Sequence, residues 1–252
     1  MDIVWKARDT SKHLGASGED EKPSAVDRGV LREVLCEELQ DFVEFNKKLE
    51  HYDLLEDGTI RATFADGTTL EGAALVGADG CFSPARRKLL PEYTLKDSEA
   101  RIIWAKAELT DDFVSALPPL ARNGLGFFST PELKVLFESM RFDRKHPYAD
   151  EKLIPKDYFY FGCYPRKEAL FGIDDKQFLA LSNDQSAELM KQLTQNWESS
   201  AQVPFQRVAP HAASANRLPT ATPDLPSWNE DGPVTLMGDA VHSSELDGGS
   251  VS

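Results

Sequence analysis

The chain has 252 residues, and 42 Asp and Glu against 28 Lys and Arg give it a net charge of −14. That length supports one large domain or two smaller ones with a real core. A chain this acidic, with no basic block, argues against nucleic-acid binding, where affinity comes mostly from Lys and Arg on phosphates. An anionic membrane surface would repel it as well. No run approaches the ~18 apolar residues of a membrane helix. The opening MDIVWKARDTSK lacks the apolar stretch of a secretory signal. Cys36, Cys81 and Cys163 lie far apart and form no CxxC pair. Together these features lead us to expect reduced thiols and a cytoplasmic location.

Residues 1–23 are expected to be a flexible N-terminal segment, because 11–24 are polar with Gly, Ser and Pro. An amphipathic helix is expected over 27–40, with Leu31, Leu35 and Leu39 sharing one face. Arg28 and Arg32 lie four apart and can address one target. A short strand over 42–45 comes next. A meander then runs through 51–55, 59–65 and 68–70, punctuated by Asp57-Gly58 and Asp66-Gly67, which are strong hairpin signals. The apolar run 73–76 suits a buried strand of a parallel sheet and ends in Gly77-Ala78-Asp79-Gly80. Ser83 and Pro84 suit the N-cap and first position of a short helix over 85–90.

The middle of the chain has a different character. Strands are expected over 101–109, 133–142 and 158–164, with a helix over 184–197 and Pro- and Gly-rich loops between them. The aromatic run DYFYFGCY invites two readings: ordinary core aromatics of a stiff strand, or the wall of an aromatic pocket. After an irregular Pro-rich stretch, 218–232, a last apolar strand over 233–237 runs into Gly238-Asp239.

Two segments therefore share a design, LVGADGCFSPARR and VTLMGDAVHSSELDGG. In each, a short apolar strand ends in a turn that pairs Gly with Asp. The C-terminal ends of strands in open α/β sheets face the crevice where ligands bind. Glycine lets backbone approach a ligand, a fixed carboxylate accepts hydrogen bonds from sugar hydroxyls, and free N–H groups suit phosphate oxygens. Taken alone, each turn also fits an ordinary strand-to-helix connection.

Taken together, the segments resemble the FAD-dependent monooxygenases of the aromatic hydroxylase type, with a p-hydroxybenzoate-hydroxylase-like fold. Val26-Asp27-Arg28-Gly29-Val30-Leu31-Arg32 is similar to that family's arginine helix, residues 77–86 match its DG motif GxDGxxSxxR, and Gly238-Asp239-Ala240-Val241-His242 match its GD motif. The resemblance implies an α/β fold. It consists of an incomplete, Rossmann-like FAD-binding part, 24–98 plus 215–252, with an inserted antiparallel substrate-domain sheet, 99–214. It also implies FAD as cofactor, NAD(P)H as co-substrate, and hydroxylation of a small organic, possibly aromatic, substrate with O2. The implied cofactor contacts are Arg28 and Arg32 toward the pyrophosphate, Asp79 and Gly80 in the DG turn, Gly238 and Asp239 toward the ribityl chain, and Gly248 and Gly249 beyond. No metal is implied and no side chain stands out as an acid or base.

The sequence departs from the family pattern in two places. No GxGxxG occurs in the 252 residues, so the unit that seats the ADP half of FAD is not visible. Leu246 and Val251 stand where the family usually has proline and glycine. The chain is therefore expected to be truncated at both ends. The alternative function is a catalytically inactive relative or gene fragment that depends on another chain to complete the fold. Among other candidates, Ser83 is read as a helix cap rather than a nucleophile, Cys81 as packing, and His242 as structural rather than a metal ligand.

Overall fold

The computed structural model describes residues 26–122, 124–146, 151–221, 226–229 and 231–242, together with the backbone of Val4–Ala7. These residues divide into two compact units, 1–37 with 100–217, and 38–99 with 218–252.

The first unit is built on a six-stranded sheet in the order β1-β7-β8-β9-β6-β10. Its strands are β1 (Val4–Ala7), β6 (Lys96–Glu108), β7 (Gly124–Ser129), β8 (Leu133–Met140), β9 (Tyr158–Pro165) and β10 (Ala213–Thr220). The pairs β1/β7, β7/β8, β8/β9 and β6/β9 are antiparallel. Within the lead expected to be flexible, residues 4–7 instead form a strand whose backbone pairs with β7; the rest of that lead lies outside the described residues. β10 likewise reaches into the stretch expected to be irregular. Pro219 is tolerated there because β10 lies at the sheet edge, where a missing N–H breaks no ladder.

Strand periodicity sorts the side chains of this sheet onto two faces. Phe159, Phe161 and Cys163 of β9, with Ile103, Ala105 and Ala107 of β6 and Val135 and Phe137 of β8, are buried on one face. They form a single core with Phe113 of α3 (Asp111–Ala116), Phe178 of α4 (Asp175–Leu179), Leu189 and Met190 of α5 (Asn183–Thr194), and Phe205 of α6 (Ser199–Gln206). Phe159 packs edge-on against Phe113 and face-on against Phe137. Ser182 and Asp174 close capping boxes at the starts of α5 and α4.

In the second unit, the two Asp-Gly turns bend the meander as expected. β2 (Leu49–Leu54), β3 (Ile60–Phe64) and β4 (Thr69–Gly72) form an antiparallel sheet. Gly58 and Gly67 take φ of +84° and +80°, which a side chain would resist. β5 (Leu75–Gly77) and β11 (Val234–Leu236) pair in parallel, Val234 beside Leu75 and Leu236 beside Gly77. The two strands lie side by side although the whole middle of the chain runs between them. The strand expected over 42–45 is absent: these residues are turn and coil, with Phe42 and Phe45 exposed. Their short apolar alternation has no partner strand to complete it.

Candidate functional site

The two Gly/Asp turns leave adjacent ends of the parallel pair β5/β11. α2 (Pro84–Leu89) starts immediately beyond the first turn, and its Ser83 N-cap accepts a hydrogen bond from Arg86 N–H at 2.9 Å. Ser83 is fully buried in that role. Gly77 allows the strand, the helix and β11 to meet. A Cβ there would stand 2.7 Å from both Ala85 Cβ and Leu236 Cδ2. Gly80 and Gly238 adopt φ of +82° and +61°, in the left-handed region.

Arg86 locks the turns together. Its side chain is 3% exposed. One terminal nitrogen donates to the Cys81 carbonyl at 2.5 Å and the other to the Ala240 carbonyl at 3.0 Å. The guanidinium also lies over the Tyr93 ring, 4.8 Å from its centre. The Tyr93 hydroxyl in turn donates to the Val241 carbonyl at 2.8 Å. Two side chains from the DG side thus hold consecutive carbonyls of the GD turn. The sequence presents Arg86 only as the last letter of a motif, and its buried role was not legible.

Held in this way, both turns present carboxylates to solvent. Asp79 is exposed and accepts one long bond, 3.4 Å, from Ala85 N–H. Asp239 is exposed in the single turn of tight helix Gly238–Ala240 and has no side-chain partner among the described residues. His242 is exposed, and its N–H is used by the Gly238 carbonyl. Among the described residues no group of three His, Cys, Asp or Glu side chains could hold a metal ion. Gly248 and Gly249 lie outside the described residues.

In the first unit, the arginine helix α1 (Arg28–Leu35) is shorter than the span expected from sequence and buries none of its residues. Cys36 ends it and residues 36–42 are mostly turns. Leu31, Leu35 and Leu39, expected to form a core face, are 44%, 65% and 42% exposed. Their spacing is helical, but no described element covers them. Arg28 and Arg32 are exposed, and neither side chain makes a hydrogen bond or ion pair among the described residues.

The sheet face opposite the core is aromatic. The Trp104 indole stacks on Tyr160 with ring centres 5.0 Å apart and planes 8° from parallel, and meets Tyr164 edge-on at 6.1 Å. Gly162, beside Trp104 in the ladder, makes the space: a Cβ there would fall 2.5 Å from the indole. Burial pushes the Tyr160 and Tyr164 hydroxyls up to about 12, so both stay neutral at ordinary pH. Arg28 opposes the rise at Tyr160, which places its charge near this face. The aromatic run divides between the two faces, with Phe159 and Phe161 in the core, as the first reading expects, and Tyr158, Tyr160 and Tyr164 half-buried on the other side. Strand alternation in the sequence carried that division, but nothing in the sequence placed Trp104 beside it.

Glu138 lies opposite Tyr160 in the β8/β9 register and is half-buried. Burial raises its carboxyl above the ordinary value of 4.5. A carboxyl raised on folding costs stability as pH rises through its unfolded value toward its folded one, since the native state then binds more protons. Glu138→Gln should therefore be more stable than the parent at pH 7 and match it near pH 3, as read by urea denaturation at each pH. An equal difference at both pH values would contradict this.

Among the described residues no helix is long and apolar enough to cross a membrane. No family model matches the chain. Solved structures share its α/β fold with antiparallel sheet. A protein from Photorhabdus luminescens assigned as an FAD-containing monooxygenase is 25% identical, with a TM-score of 0.64 over 87% of this chain and 57% of its own. A point variant of HpxO from Klebsiella pneumoniae, complexed with FAD, is 20% identical, with a TM-score of 0.64 over 86% of this chain and 49% of its own.

Sequence relatives point to the same class. The dual O-methyltransferase/FAD-dependent monooxygenase elcB of Phaeosphaeria nodorum is 33% identical over 89% of this chain. The match covers 27% of elcB, so the chain spans under a third of that relative's length. The homologues of this chain are thus FAD-dependent monooxygenases, as the DG and GD turns imply.

Proposed function

We propose that the chain takes FAD and contributes to a monooxygenase acting on a small planar aromatic substrate. The observation that carries this reading is the pair of turns pinned by Arg86, which hold Asp79 and Asp239 exposed beside glycines of left-handed conformation. The donor set fits the cofactor. Exposed carboxylates accept hydrogen bonds from ribose and ribityl hydroxyls, and the exposed guanidiniums of Arg28 and Arg32 suit a pyrophosphate. Gly248 and Gly249 are proposed as further backbone contacts. Residues 24–98 and 215–252 then serve as the FAD-binding part and 99–214 as the substrate sheet.

FAD supplies the redox chemistry when bound. The overall reaction consumes O2, NAD(P)H and a proton, and yields NAD(P)+, water and a substrate carrying one new hydroxyl. The chain's own residues bind and orient. The cluster of Trp104, Tyr160 and Tyr164, two rings stacked and the third edge-on, offers aromatic surface against which a substrate ring can pack. Glu138 is an acceptor for a phenolic hydroxyl beside it.

The test is NAD(P)H consumption by the FAD-loaded chain across a panel of planar phenols, with products weighed by mass spectrometry. A product heavier by one oxygen, its label taken from 18O2, supports the reading. Oxidation of NAD(P)H that yields only peroxide with every phenol goes against the substrate class. Failure to take up FAD favours the alternative, in which the chain is not a working flavoenzyme by itself.

A further inference from the structure

α1 carries both candidate pyrophosphate arginines, yet it has no buried residue to fix it. Among the described residues, the hydrogen bonds and the ion pair that join it to the sheet all run through one side chain. The Asp27 carboxylate is only 11% exposed and is shared between two tasks. Its Oδ1 caps the helix, accepting from Gly29 N–H at 2.8 Å and Val30 N–H at 3.0 Å. Its Oδ2 accepts from the Tyr158 hydroxyl of β9 at 2.6 Å and from Lys106 of β6 at 3.5 Å. Lys106 also sits over the Tyr158 ring, 4.1 Å from its centre.

We propose that Asp27, through Tyr158, is the tether that positions Arg28 on the sheet, and that Asp27 and Tyr158 are therefore positioning residues for cofactor binding. This rests on the reading of Arg28 as a pyrophosphate contact. An N-cap alone would stabilise the helix wherever it lay. A cap that is also bonded to a strand 131 residues away fixes where the helix starts, and Arg28 is its first residue. Burial raises the Asp27 carboxyl, but the bonds from Tyr158, Val30 and Gly29, with Lys106 nearby, more than offset it and hold the pKa below the ordinary 3.8. The acceptor is therefore ionised at neutral pH, and bonds to an ionised acceptor are the stronger kind.

The variant that isolates the tether is Tyr158→Phe, which keeps the ring and leaves both capping bonds in place. Tyr160→Phe, on the same strand and face, is the control. Hydrogen exchange of the α1 amides in the flavin-free chain should quicken about tenfold in Tyr158→Phe and stay at the parent rate in Tyr160→Phe. FAD affinity should fall in Tyr158→Phe and in Arg28→Ala, with no further loss from Tyr158→Phe once Arg28 is gone. Unchanged α1 exchange in Tyr158→Phe would overturn the tether. Faster exchange with parent-like FAD affinity in Tyr158→Phe, while Arg28→Ala weakens it, would overturn the positioning role. Faster exchange with no effect of Arg28→Ala would instead overturn the reading of Arg28 and leave the tether standing.

Discussion

Arg86→Ala should destabilise the chain by about 2–4 kcal/mol and release the GD turn from the DG turn. The Ala240 carbonyl loses a buried donor, the Cys81 carbonyl loses a partner, and the Tyr93 ring loses the cation stacked on it. A buried cavity adds to the loss. Part of the cost is returned, because the guanidinium is buried without an ion pair among the described residues, its Nε has no partner, and burying a charge is itself unfavourable. Arg86→Lys should recover little, since one ammonium cannot span two carbonyls as a planar fork does. Urea denaturation gives the stability, and hydrogen exchange at 237–242 gives the release of the turn. A shift in stability below about 0.5 kcal/mol, the range of ordinary surface changes, would show that the two turns are held by something else.

Gly162→Val should be the other severe substitution. The new side chain would meet the Trp104 indole from 2.5 Å and Ile102 from 3.1 Å. The indole must then leave Tyr160. Overpacking costs about 1–3 kcal/mol, and the lost stacking adds about 0.5–1.5 kcal/mol. Tryptophan emission should shift red as the ring becomes exposed, and binding of an aromatic substrate should weaken in parallel. Parent-like emission with parent-like stability would mean that the platform tolerates the branch and that Gly162 is not its spacer.

The sequence disclosed these features unevenly, for physical reasons. Local chemistry was legible. The Asp-Gly hairpins, the Ser83-Pro84 helix start and the strand runs 133–142 and 158–164 all specify their own conformation through a few adjacent residues. The pairing of β5 with β11 was legible only as a shared design of two segments, because register across so long a span of chain leaves no local mark. β7 and β10 leave no such local mark. β7 (GLGFFS) opens on glycines and β10 carries a proline, residues that weaken a strand signal, and both strands are fixed instead by their place in the sheet. α1 is shorter than its helical spacing suggests, because that spacing continues past Cys36, where the backbone turns. In the candidate site the carboxylates and glycines were visible as motif letters. The structural roles of Asp27, Arg86 and Trp104 were not, since each acts through a residue distant in sequence.

The central claim is that this chain's own residues hold FAD, and a flavin titration tests it most directly. Purified chain is titrated with FAD, following flavin fluorescence and visible absorbance, beside Asp239→Ala. Saturable binding of one FAD per chain is expected. Affinity should be at least about tenfold weaker in Asp239→Ala, the loss of a hydrogen bond to a charged acceptor, with an unchanged far-ultraviolet dichroism spectrum. No saturable binding by the parent chain, or equal affinity in Asp239→Ala, would contradict the account.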